Sequence, residues 1–569
     1  MPGDTIHLNT EAEKQRTYDV IVVGSGISGG WAAKEFCEKG LRVLMLERGK
    51  NLTHPNYPDA TKNIWEFPHR GSLSQADKAR SPIQSRHYSY REDNKNFYIN
   101  DLENPYHEIQ RFDWIRGDIV GGRSMLWARQ CYRFSDLDFE ANLRQGIGVD
   151  WPIRYKEISP WYDYVDRFIG VSGQAESLPQ LPDGVFQPPM EMNCVEKDFK
   201  LRTESRFPKR KVTIGRTANL TAPVQGRGTC QFRNLCHRGC PYGAYFSTNA
   251  STLPAAFITG RLTLKSASLV NRVMYDEKAQ RAKGVEIINM ETGKVEEYYA
   301  RLIFLNAATL ATAFILLNSV SSRFPNGLGN GSDQVGRNLM DHHKTMGMSA
   351  LVEGFEDEYY YGRRPNGIYI PRFTNIDHKE KDYLRGFGLQ GGAYRQRARP
   401  KPEQLTIGAD FKETITYPGA WSIGFTGFGE CLPYAENRAS LNRDQKDHWG
   451  RYTLSVDAGF KENEKAMHKD ILETVREMLE FAGYKKVEIE EGISFPGNSN
   501  HEMGTARMGR DPRHSVLNGH NQMHEVKNLF ITDGSFMVSS GCVNPSLTYM
   551  AMTARAVDYA CREMAKQNL

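Results

Sequence analysis

Apolar residues near the start of the chain follow strand and helix spacings in turn. Val20–Val23 is an uninterrupted apolar run that predicts a buried strand, and residues 31–38 are helix-compatible up to Gly40. A second apolar run, Leu41–Leu46, predicts the next strand. This strand–helix–strand pattern predicts the opening of a parallel sheet that is covered by helices.

The same pattern returns in the middle and at the end of the chain. Leu302–Ala308 predicts a buried strand that leads into a helix over Thr309–Leu317. Asn528–Gly534 predicts a short strand, and a final helix covers Ser546–Lys566. We therefore expect one parallel sheet assembled from distant parts of the chain.

The remaining segments have a different pattern. Between Val352 and Asp457, short strands such as Gly367–Ile370 and Leu454–Val456 alternate with polar or glycine-rich loops, which favours an antiparallel sheet in a second domain. An amphipathic helix is predicted over residues 462–483. Its apolar stripe contains Ala466, Ile471, Val475, Met478, Leu479 and Phe481. Further strands are predicted at Leu262–Leu264, Val270–Tyr275 and Gly284–Ile288, and a surface or lid helix at residues 150–167.

Three glycines stand between the first predicted strand and helix in the spacing G-x-G-x-x-G. Gly24 permits a tight turn, Gly26 permits close approach of a pyrophosphate, and Gly29 permits the helix to pack on the strand. Glu47, at the end of the second strand, is placed to accept hydrogen bonds from a ribose. The alternative is a glycine-rich turn in another parallel sheet, and the motif alone does not separate FAD from NAD.

Composition limits the possible classes of function. The 569 residues are too many for one small core, and 73 basic against 68 acidic residues, spread along the chain, give no reason to propose nucleic-acid binding. Aromatic residues make up 11%, which suits a ring-shaped substrate or simply a large core. Met1–Tyr18 lacks the pattern of a signal peptide, and Leu302–Leu317 is too short and polar to span a bilayer, so we expect a soluble chain.

Two further motifs carry candidate chemistry. Gly121 and Gly122, followed by Arg123 and Ser124, suit backbone lying against a flat ring or a phosphate, although an ordinary turn is the commoner explanation for such a pair standing alone. Cys230, Cys236 and Cys240 form a C-x5-C-x3-C trio closed by Pro241, which suits thiolate ligation of an iron–sulfur cluster. Zinc held by these cysteines with His237, or plain thiols without a metal, are the alternatives.

These motifs together resemble one known family over essentially the full length. The dinucleotide unit, Gly121-Gly122, the row Val335–His342 and a C-terminal block occur in the order found in the glucose–methanol–choline (GMC) flavin oxidoreductases. The C-terminal block runs His501–Gly509, Asp533-Gly534-Ser535 and Asn544–Thr548. The resemblance implies FAD as cofactor, alcohol oxidation, and a substrate domain built on a mainly antiparallel sheet.

The resemblance also implies a division into domains. Residues 1–345 would form most of a Rossmann-like α/β FAD-binding domain, with the cysteine segment at 225–245 and cap or lid elements at 50–170. Residues 346–495 would form the α+β substrate-binding domain, and residues 496–569 would complete the FAD-binding domain and carry the catalytic residues. The residues expected at FAD are Gly24, Gly26, Gly29, Glu47, Arg48, Gly121, Gly122, Ser124, Val270, Asp533, Gly534, Asn544 and Pro545.

The catalytic roles follow from matching the family motif. Oxidising a C–OH group removes a hydride, taken by the flavin N5, and a proton, taken by a base. His501 matches the position of the family's base, and Asn544 matches the second active-site position, where an amide can hold the substrate oxygen. Trp127 stands where many relatives have Asn, so the chain departs from the family pattern at the edge of the flavin. Residues 121–127 contain no histidine, so we expect no covalent link to the flavin through this motif.

Within the family the chain looks most like the bacterial sugar dehydrogenases, including gluconate, sorbitol and fructose dehydrogenase large subunits and glucoside 3-dehydrogenases. That branch implies a [3Fe–4S] cluster on Cys230, Cys236 and Cys240, whereas a remote ligand such as Cys194 would make it [4Fe–4S]. It also implies a sugar or glycoside substrate, a small subunit and a cytochrome c-type acceptor. Co-export with the small subunit to the periplasm and cytoplasmic residence are both compatible with the N-terminus.

Two other functions stay open at this point. One is a GMC alcohol or polyol oxidase, or a choline-type dehydrogenase, with a structural metal. The other is a non-catalytic electron-transfer flavoprotein subunit. Candidate substrate-facing loops, Tyr359–Arg363 and Gln390–Tyr394, are rich in aromatic and hydrogen-bonding residues, which fits a carbohydrate but names none.

Overall fold

The computed structural model describes residues 15–360, 364–397, 407–416 and 418–569. Tyr361–Arg363, part of one candidate substrate loop, lie outside the described residues. The helices are α1 (Ile27–Glu38), α2 (Gln75–Arg80), α3 (Asp136–Phe139), α4 (Ala141–Gln145), α5 (Tyr155–Ile169), α6 (Cys194–Arg206), α7 (Thr252–Phe257), α8 (Thr309–Asn318), α9 (Ala409–Thr416), α10 (Glu462–Phe481) and α11 (Ser546–Ala565). The strands are β1 (Thr17–Val23), β2 (Val43–Leu46), β3 (His107–Glu108), β4 (Thr213–Ile214), β5 (Leu262–Lys265), β6 (Ser268–Asp276), β7 (Arg281–Asn289), β8 (Val295–Leu305), β9 (His343–Val352), β10 (Ile368–Ile370), β11 (Phe387–Arg397), β12 (Pro418–Gly429), β13 (Arg438–Lys446), β14 (Tyr452–Asp457), β15 (Lys485–Ile489) and β16 (Leu529–Ile531).

The first sheet is assembled from the start, middle and end of the chain, as the hydrophobic pattern predicts. Its strand order is β5-β2-β1-β8-β7-β6, and β16 pairs with the end of β8. Ile21 of β1 is in register with Leu44 of β2 and with Ile303 of β8, both in parallel pairing. The antiparallel pairs β6–β7 and β7–β8 extend the parallel part on one side.

Both faces of β1 are buried over Val20–Val23, which explains the uninterrupted apolar sequence of that part of the strand. Val20 and Val22 point into a core that contains Phe36 of α1. Ile21 and Val23 point into a second core on the opposite face. Because successive strand residues alternate between faces, a strand buried on both sides has no polar position to offer.

The second sheet has the order β15-β9-β12-β11-β10-β4, and its neighbouring strands pair antiparallel. Helix α10 covers one face with Met467, Ile471 and Val475, all fully buried. Phe481 differs from its predicted place on this stripe, since it is 47% exposed at the end of the helix. The other face of the sheet borders a large cavity.

Two elements differ from the sequence prediction. Strand β14, which contains Leu454–Val456, pairs with β13 and β3 in a small separate sheet instead of joining the antiparallel sheet. Leu454 and Val456 bury their side chains in the core beside the first sheet, and this burial fixes the strand there. Helix α5 is also no simple surface or lid element, because one face is buried and Tyr162 contacts Thr548 of α11 at 2.7 Å.

Within the described ranges, none of the helices is long and apolar enough to cross a membrane.

Candidate active site

A cavity of about 790 Å³ brings together residues from the first sheet, the second sheet and the connecting loops. Of the predicted site residues, it is lined by Gly24, Gly26, Glu47, Arg48, Gly122, Ser124, Cys230, Cys236, Cys240, Val270, His501, Asp533, Gly534, Asn544 and Pro545. Gly29 and Gly121 are not among its lining residues. A single cavity therefore joins the dinucleotide motif, the candidate catalytic pair and the cysteine trio.

The glycine turn has the geometry that its spacing predicts. Gly24 has a φ of +91°, which favours glycine, and a Cβ on Gly29 would lie 1.9 Å from the carbonyl oxygen of Gly24. Gly26 is different, because a Cβ there would meet no atom within 4 Å. The open space at Gly26 is the side from which a phosphate would approach. Gly121 contacts the same turn through its N–H, which donates to Ser25 Oγ at 2.8 Å.

Glu47 lies at the end of β2, where the motif expects an acid facing a ribose. Its carboxylate accepts hydrogen bonds from the N–H and hydroxyl of Ser25 at 2.9 and 2.6 Å, and from the N–H of Gly49 at 2.7 Å. Burial raises the pKa of Glu47, while these hydrogen bonds oppose the rise. Glu47 thus stabilises the glycine turn through hydrogen bonds and also lines the cavity. Arg48 beside it pairs with Asp118 at 3.0 Å.

The cavity fits FAD by its unsatisfied polar atoms and by the glycine turn at its wall. Asn306 Nδ2 and Tyr549 Oη are buried at its wall without a hydrogen-bond partner among the described residues. Buried polar groups normally have partners, so these two atoms call for a polar ligand. The turn at Gly24 and Gly26 also offers the N-terminus of α1 to a pyrophosphate. The residues present therefore fit a flavin dinucleotide.

His501 lies in a chain of side-chain contacts that sequence reasoning did not foresee. Its Nδ1 is 2.8 Å from Nδ1 of His342, and its Nε2 is 3.3 Å from Nδ2 of Asn544. His342 Nε2 in turn donates toward the carbonyl oxygens of Gly541, at 2.9 Å, and Ser540, at 3.2 Å. The predicted catalytic pair, His501 and Asn544, is therefore in direct contact.

This chain of contacts determines which nitrogen of His501 carries the proton. A carbonyl oxygen only accepts, so His342 is protonated on Nε2 and its Nδ1 is an acceptor. His501 Nδ1 must then be the donor, which leaves the lone pair on Nε2. Gln390 Nε2 donates to Asn544 Oδ1 at 2.6 Å, and this contact turns the amide nitrogen of Asn544 toward His501. His501 Nε2 is thus an unprotonated nitrogen at the cavity wall.

The surroundings of His501 keep it neutral. Burial lowers the pKa of His501 well below its ordinary value, and the nearby charges of Arg123 and Lys344 lower it further. Burial also lowers the pKa of His342 to about 4. Both imidazoles are therefore uncharged near neutral pH, which is the state required of a general base and of the group that orients it.

Two acidic residues, Asp341 and Glu502, stabilise the loop that carries His501. Asp341 accepts the backbone N–H groups of Gly497, Ser499 and His501 at 2.7, 3.2 and 3.0 Å. Glu502, whose side chain is 1% exposed, forms a two-bond ion pair with Arg123 at 2.6 and 3.1 Å. Glu502, the partner of Arg123, directly follows the candidate base in the chain.

Sequence reasoning missed the roles of His342, Asp341 and Gln390. Asp341 and His342 belong to the motif Val335–His342, from which we inferred only the family resemblance. The acid next to a histidine in this motif was the available sequence signal for a role in the site. Gln390 was named within a candidate substrate loop, but it lies on β11 and contacts Asn544. Trp127, in the place of the family's Asn, donates its indole N–H to the carbonyl oxygen of Phe246 at 2.9 Å.

The three cysteines line one part of the cavity as free, partly buried thiols. Burial raises the pKa of Cys230, and the neighbouring Cys236 and Cys240 raise it further. Across the described ranges, however, no group of three or more His, Cys, Asp or Glu side chains has the arrangement of a metal site. The donor atoms suit a cluster chemically, whereas their positions here are not those of a closed set of ligands.

The loop around the cysteines is bonded to the segment that follows α2. His237 Nε2 and Arg238 Nε both contact Asp93 Oδ2, at 2.9 and 2.6 Å. Burial tends to raise the pKa of Asp93, but these two partners outweigh it and lower the pKa to about 2. His237 is thus engaged with a carboxylate, which weakens the alternative of a zinc site that includes it. Tyr245 Oη contacts the carbonyl oxygens of Met125 and Cys236, both at 3.2 Å.

Known proteins resemble the chain over nearly its whole length. A sequence model of GMC oxidoreductases matches residues 18–344, and a second for the same family matches residues 433–553. The 2-methyl-1,2-propanediol dehydrogenase of Mycolicibacterium austroafricanum is 28% identical, with 96% of each chain covered. The fructose dehydrogenase large subunit of Gluconobacter japonicus is 27% identical, over 95% of this chain and 97% of the relative.

A solved structure supports the fold independently. The pyridoxine 4-oxidase from Mesorbium loti superposes with a TM-score of 0.62 at 17% identity, covering 96% of this chain and 99% of that one. The resemblance drawn from the motifs is therefore confirmed, and so are the α/β fold and FAD as cofactor. The chain belongs to the GMC oxidoreductase family and is an FAD-dependent oxidoreductase that acts on CH–OH groups.

Proposed function

We propose that the protein is a dehydrogenase that oxidises a secondary hydroxyl of a sugar or glycoside to a ketone, with a glucoside 3-dehydrogenase as the best match. The observation that carries the proposal is the lone pair of His501 Nε2, fixed at the cavity wall beside Asn544 by the chain through His342. A neutral imidazole in this position takes the hydroxyl proton as the C–H bond breaks. FAD, when bound, supplies the hydride acceptor.

The chain's own residues account for binding and proton removal. His501 Nε2, which contacts the Asn544 amide nitrogen at 3.3 Å, would accept the proton of the hydroxyl, and the amide N–H of Asn544 would then bind the same oxygen. Gln390, on the second sheet, fixes that amide from the substrate side. The fructose dehydrogenase relative supports a sugar, and the 2-methyl-1,2-propanediol dehydrogenase relative shows that smaller alcohols belong in the same test.

The test is flavin reduction under anaerobic conditions with sugars, glycosides and small diols, followed by identification of the product. His501→Ala should retain FAD and slow flavin reduction by roughly 100- to 10,000-fold, the usual contribution of a general base. His448→Ala, a change at an exposed histidine, is the matched control and should not change the rate. An unchanged rate in His501→Ala removes His501 from the mechanism. Consumption of oxygen at the rate of turnover would favour an oxidase instead.

The electrons would leave through an iron–sulfur cluster held by Cys230, Cys236 and Cys240. Support for this proposal comes from the three free thiols in the same cavity as His501. A cluster there would supply one-electron transfer to a protein acceptor. Iron and sulfide content after anaerobic purification is the test, with Cys236→Ser expected to lose both. Cys561→Ser, at a partly buried cysteine elsewhere, should keep them. Wild-type protein without iron would end the cluster proposal, and zinc in its place would favour a structural metal.

The proposed partners are a small subunit and a cytochrome c-type acceptor, as in the branch that the sequence resembles. The fructose dehydrogenase relative is named as a large subunit. Near the cysteine loop, Ile64 and Trp65 are 47% and 70% exposed, and Arg238 bonds the carbonyl oxygen of Lys62 just before them. Such exposed apolar residues suit a docking surface. Co-purification from the native cell, with fractionation of periplasm and cytoplasm, would decide between co-export and cytoplasmic residence.

A further inference from the structure

Lys344 is a buried lysine at the cavity wall whose ammonium contacts an aromatic ring but no anion among the described residues. Its relative exposure is 4%, and no carboxylate among the described residues lies within 4.0 Å of its ammonium. The ammonium lies 4.1 Å from the centre of the Tyr88 ring, and no hydrogen bond from it to another described residue is formed. Burying a charge without a partner is costly, so a cation in such a place calls for a ligand.

The other cations of the cavity wall make the contrast clear. Five arginines that line the cavity each pair with a carboxylate, so their charges are already neutralised. These are Arg48 with Asp118, Arg116 with Asp101, Arg123 with Glu502, Arg364 with Glu196, and Arg451 with Asp447. Three further arginines of the wall have no carboxylate partner, but Arg129 and Arg233 donate hydrogen bonds to carbonyl oxygens and Arg91 is exposed to solvent. Among the described residues of the wall, Lys344 therefore differs from these arginines in being a buried cation with neither a carboxylate nor a hydrogen-bond acceptor, so its charge faces the cavity.

Lys344 lies on β9, in the part of the cavity wall that the second sheet forms. It is in register with Phe428 on the neighbouring strand β12, so the two side chains share one face of the sheet. The Phe428 ring lies 5.9 Å from the ring of His501, and both residues line the cavity with Gln390. The face that holds the catalytic amide through Gln390 thus also presents the ammonium of Lys344.

We propose that Lys344 binds a carboxylate of the substrate, so that the enzyme takes sugar acids, open-chain or glycosidic, in preference to the matching neutral sugars. The inference rests on the proposed function and narrows its substrate class. One ammonium matches one carboxylate in charge, whereas a phosphate dianion would call for a second cation. The charge of Lys344 also lowers the pKa of His501, so a bound carboxylate beside it would moderate that effect.

The experiment uses two substrate pairs that differ only by a carboxylate in place of CH2OH. These are gluconate against sorbitol, and methyl glucuronide against methyl glucoside. The FAD-loaded enzyme should prefer the acid in at least one pair. Lys344→Met, which keeps the apolar stem, should raise KM for that acid roughly 10- to 100-fold, the size expected for a lost charge-assisted hydrogen bond. The neutral partner should change less than about threefold, and Lys344→Arg should restore much of the affinity for the acid.

Equilibrium binding of the same acids to the oxidised enzyme gives a readout that does not depend on turnover. Binding to the wild type should weaken as salt is raised, and Lys344→Met should abolish most of that salt dependence. Preference for the neutral partner in both pairs, or equal losses for acid and neutral compound in Lys344→Met, would overturn the proposal. A lower maximal rate for both compounds without a change in KM would place Lys344 in the oxidation itself and also overturn it. If none of the four compounds reduces the flavin, the proposed function fails for them, and the binding measurement still decides the role of Lys344.

Discussion

Nδ1 of His342 lies 2.8 Å from Nδ1 of His501, and the two rings are nearly perpendicular, at 86°. Because His342 Nε2 faces the carbonyl oxygens of Ser540 and Gly541, only one protonation pattern satisfies both histidines. That pattern places the lone pair of His501 on Nε2, next to Asn544. His342 is thus a positioning residue that sets the tautomer of the base without touching the substrate.

Replacing His342 should therefore impair proton removal more than cofactor binding. In His342→Leu the His501 Nδ1–H loses its acceptor, and we expect flavin reduction to slow by about 10- to 1,000-fold, part of the full contribution of a general base. His342→Asn, whose side-chain oxygen replaces the accepting nitrogen, should recover part of the rate. The measurement is anaerobic stopped-flow reduction at several pH values, with FAD content as the control. Equal rates in the Leu and Asn variants would contradict a role in setting the tautomer.

The ion pair between Arg123 and Glu502 supports the same loop, and it makes a quantitative prediction about stability. Glu502 is almost fully buried, so Arg123→Met leaves an uncompensated carboxylate and should cost about 3–5 kcal/mol. The double variant Arg123→Met/Glu502→Gln removes both charges and should be more stable than Arg123→Met alone. Thermal unfolding of wild type, both single variants and the double variant checks this prediction. Additive losses would mean that the two charges do not interact.

Asp341 should make the stability of the protein depend on pH. Burial raises the pKa of Asp341 to about 7 from an ordinary 3.8, and the charge of Glu502 adds to the rise. A raised folded-state pKa means that the contribution to stability is fully present below pH 3.8 and is lost as pH rises through 7. Between pH 6 and pH 8 the loss should be about 1.4 kcal/mol.

The matched variant for this effect is Asp341→Asn, which cannot ionise. The substitution has its own constant cost, so the informative quantity is the difference between unfolding midpoints at pH 6 and pH 8 within each protein. Wild type should lose more stability over this interval than Asp341→Asn. The same pH dependence in both would assign it to another group.

Much of the first sheet could be predicted from sequence because local patterns were enough to define its strands. Val20–Val23 and Leu302–Leu305 are apolar without interruption, as strands buried on both faces must be, and Gly24 and Gly29 of the motif have steric reasons to be glycine. Strand β14 was misplaced because alternating apolar residues say that one face is buried but not against which core. Only the tertiary structure shows that Leu454 packs beside the first sheet.

In the candidate site, too, the residues that belong to a local motif could be predicted, whereas the distant residues that support them could not. His501 and Asn544 were found through a motif, and the structure brings them into contact. Their supports lie far away in sequence, since 159 positions separate His342 from His501 and 154 separate Gln390 from Asn544. A single sequence holds no signal for such contacts, so the hydrogen-bond chain and the unpaired Lys344 became visible only in the folded protein.

The glycine turn provides a pair of substitutions that separates cofactor binding from folding. Gly26 has a φ of −66°, which any residue adopts, and a Cβ there meets nothing within 4 Å, so Gly26→Ala should fold. The methyl group would occupy the space through which the backbone approaches a pyrophosphate, and FAD content should fall about 10-fold or more. Gly29→Ala instead drives a Cβ to 1.9 Å from the carbonyl oxygen of Gly24, and we expect a loss of soluble protein. Flavin absorbance per chain and far-UV circular dichroism measure the two effects. A Gly26→Ala enzyme with full FAD content would contradict the assignment of this turn to the pyrophosphate.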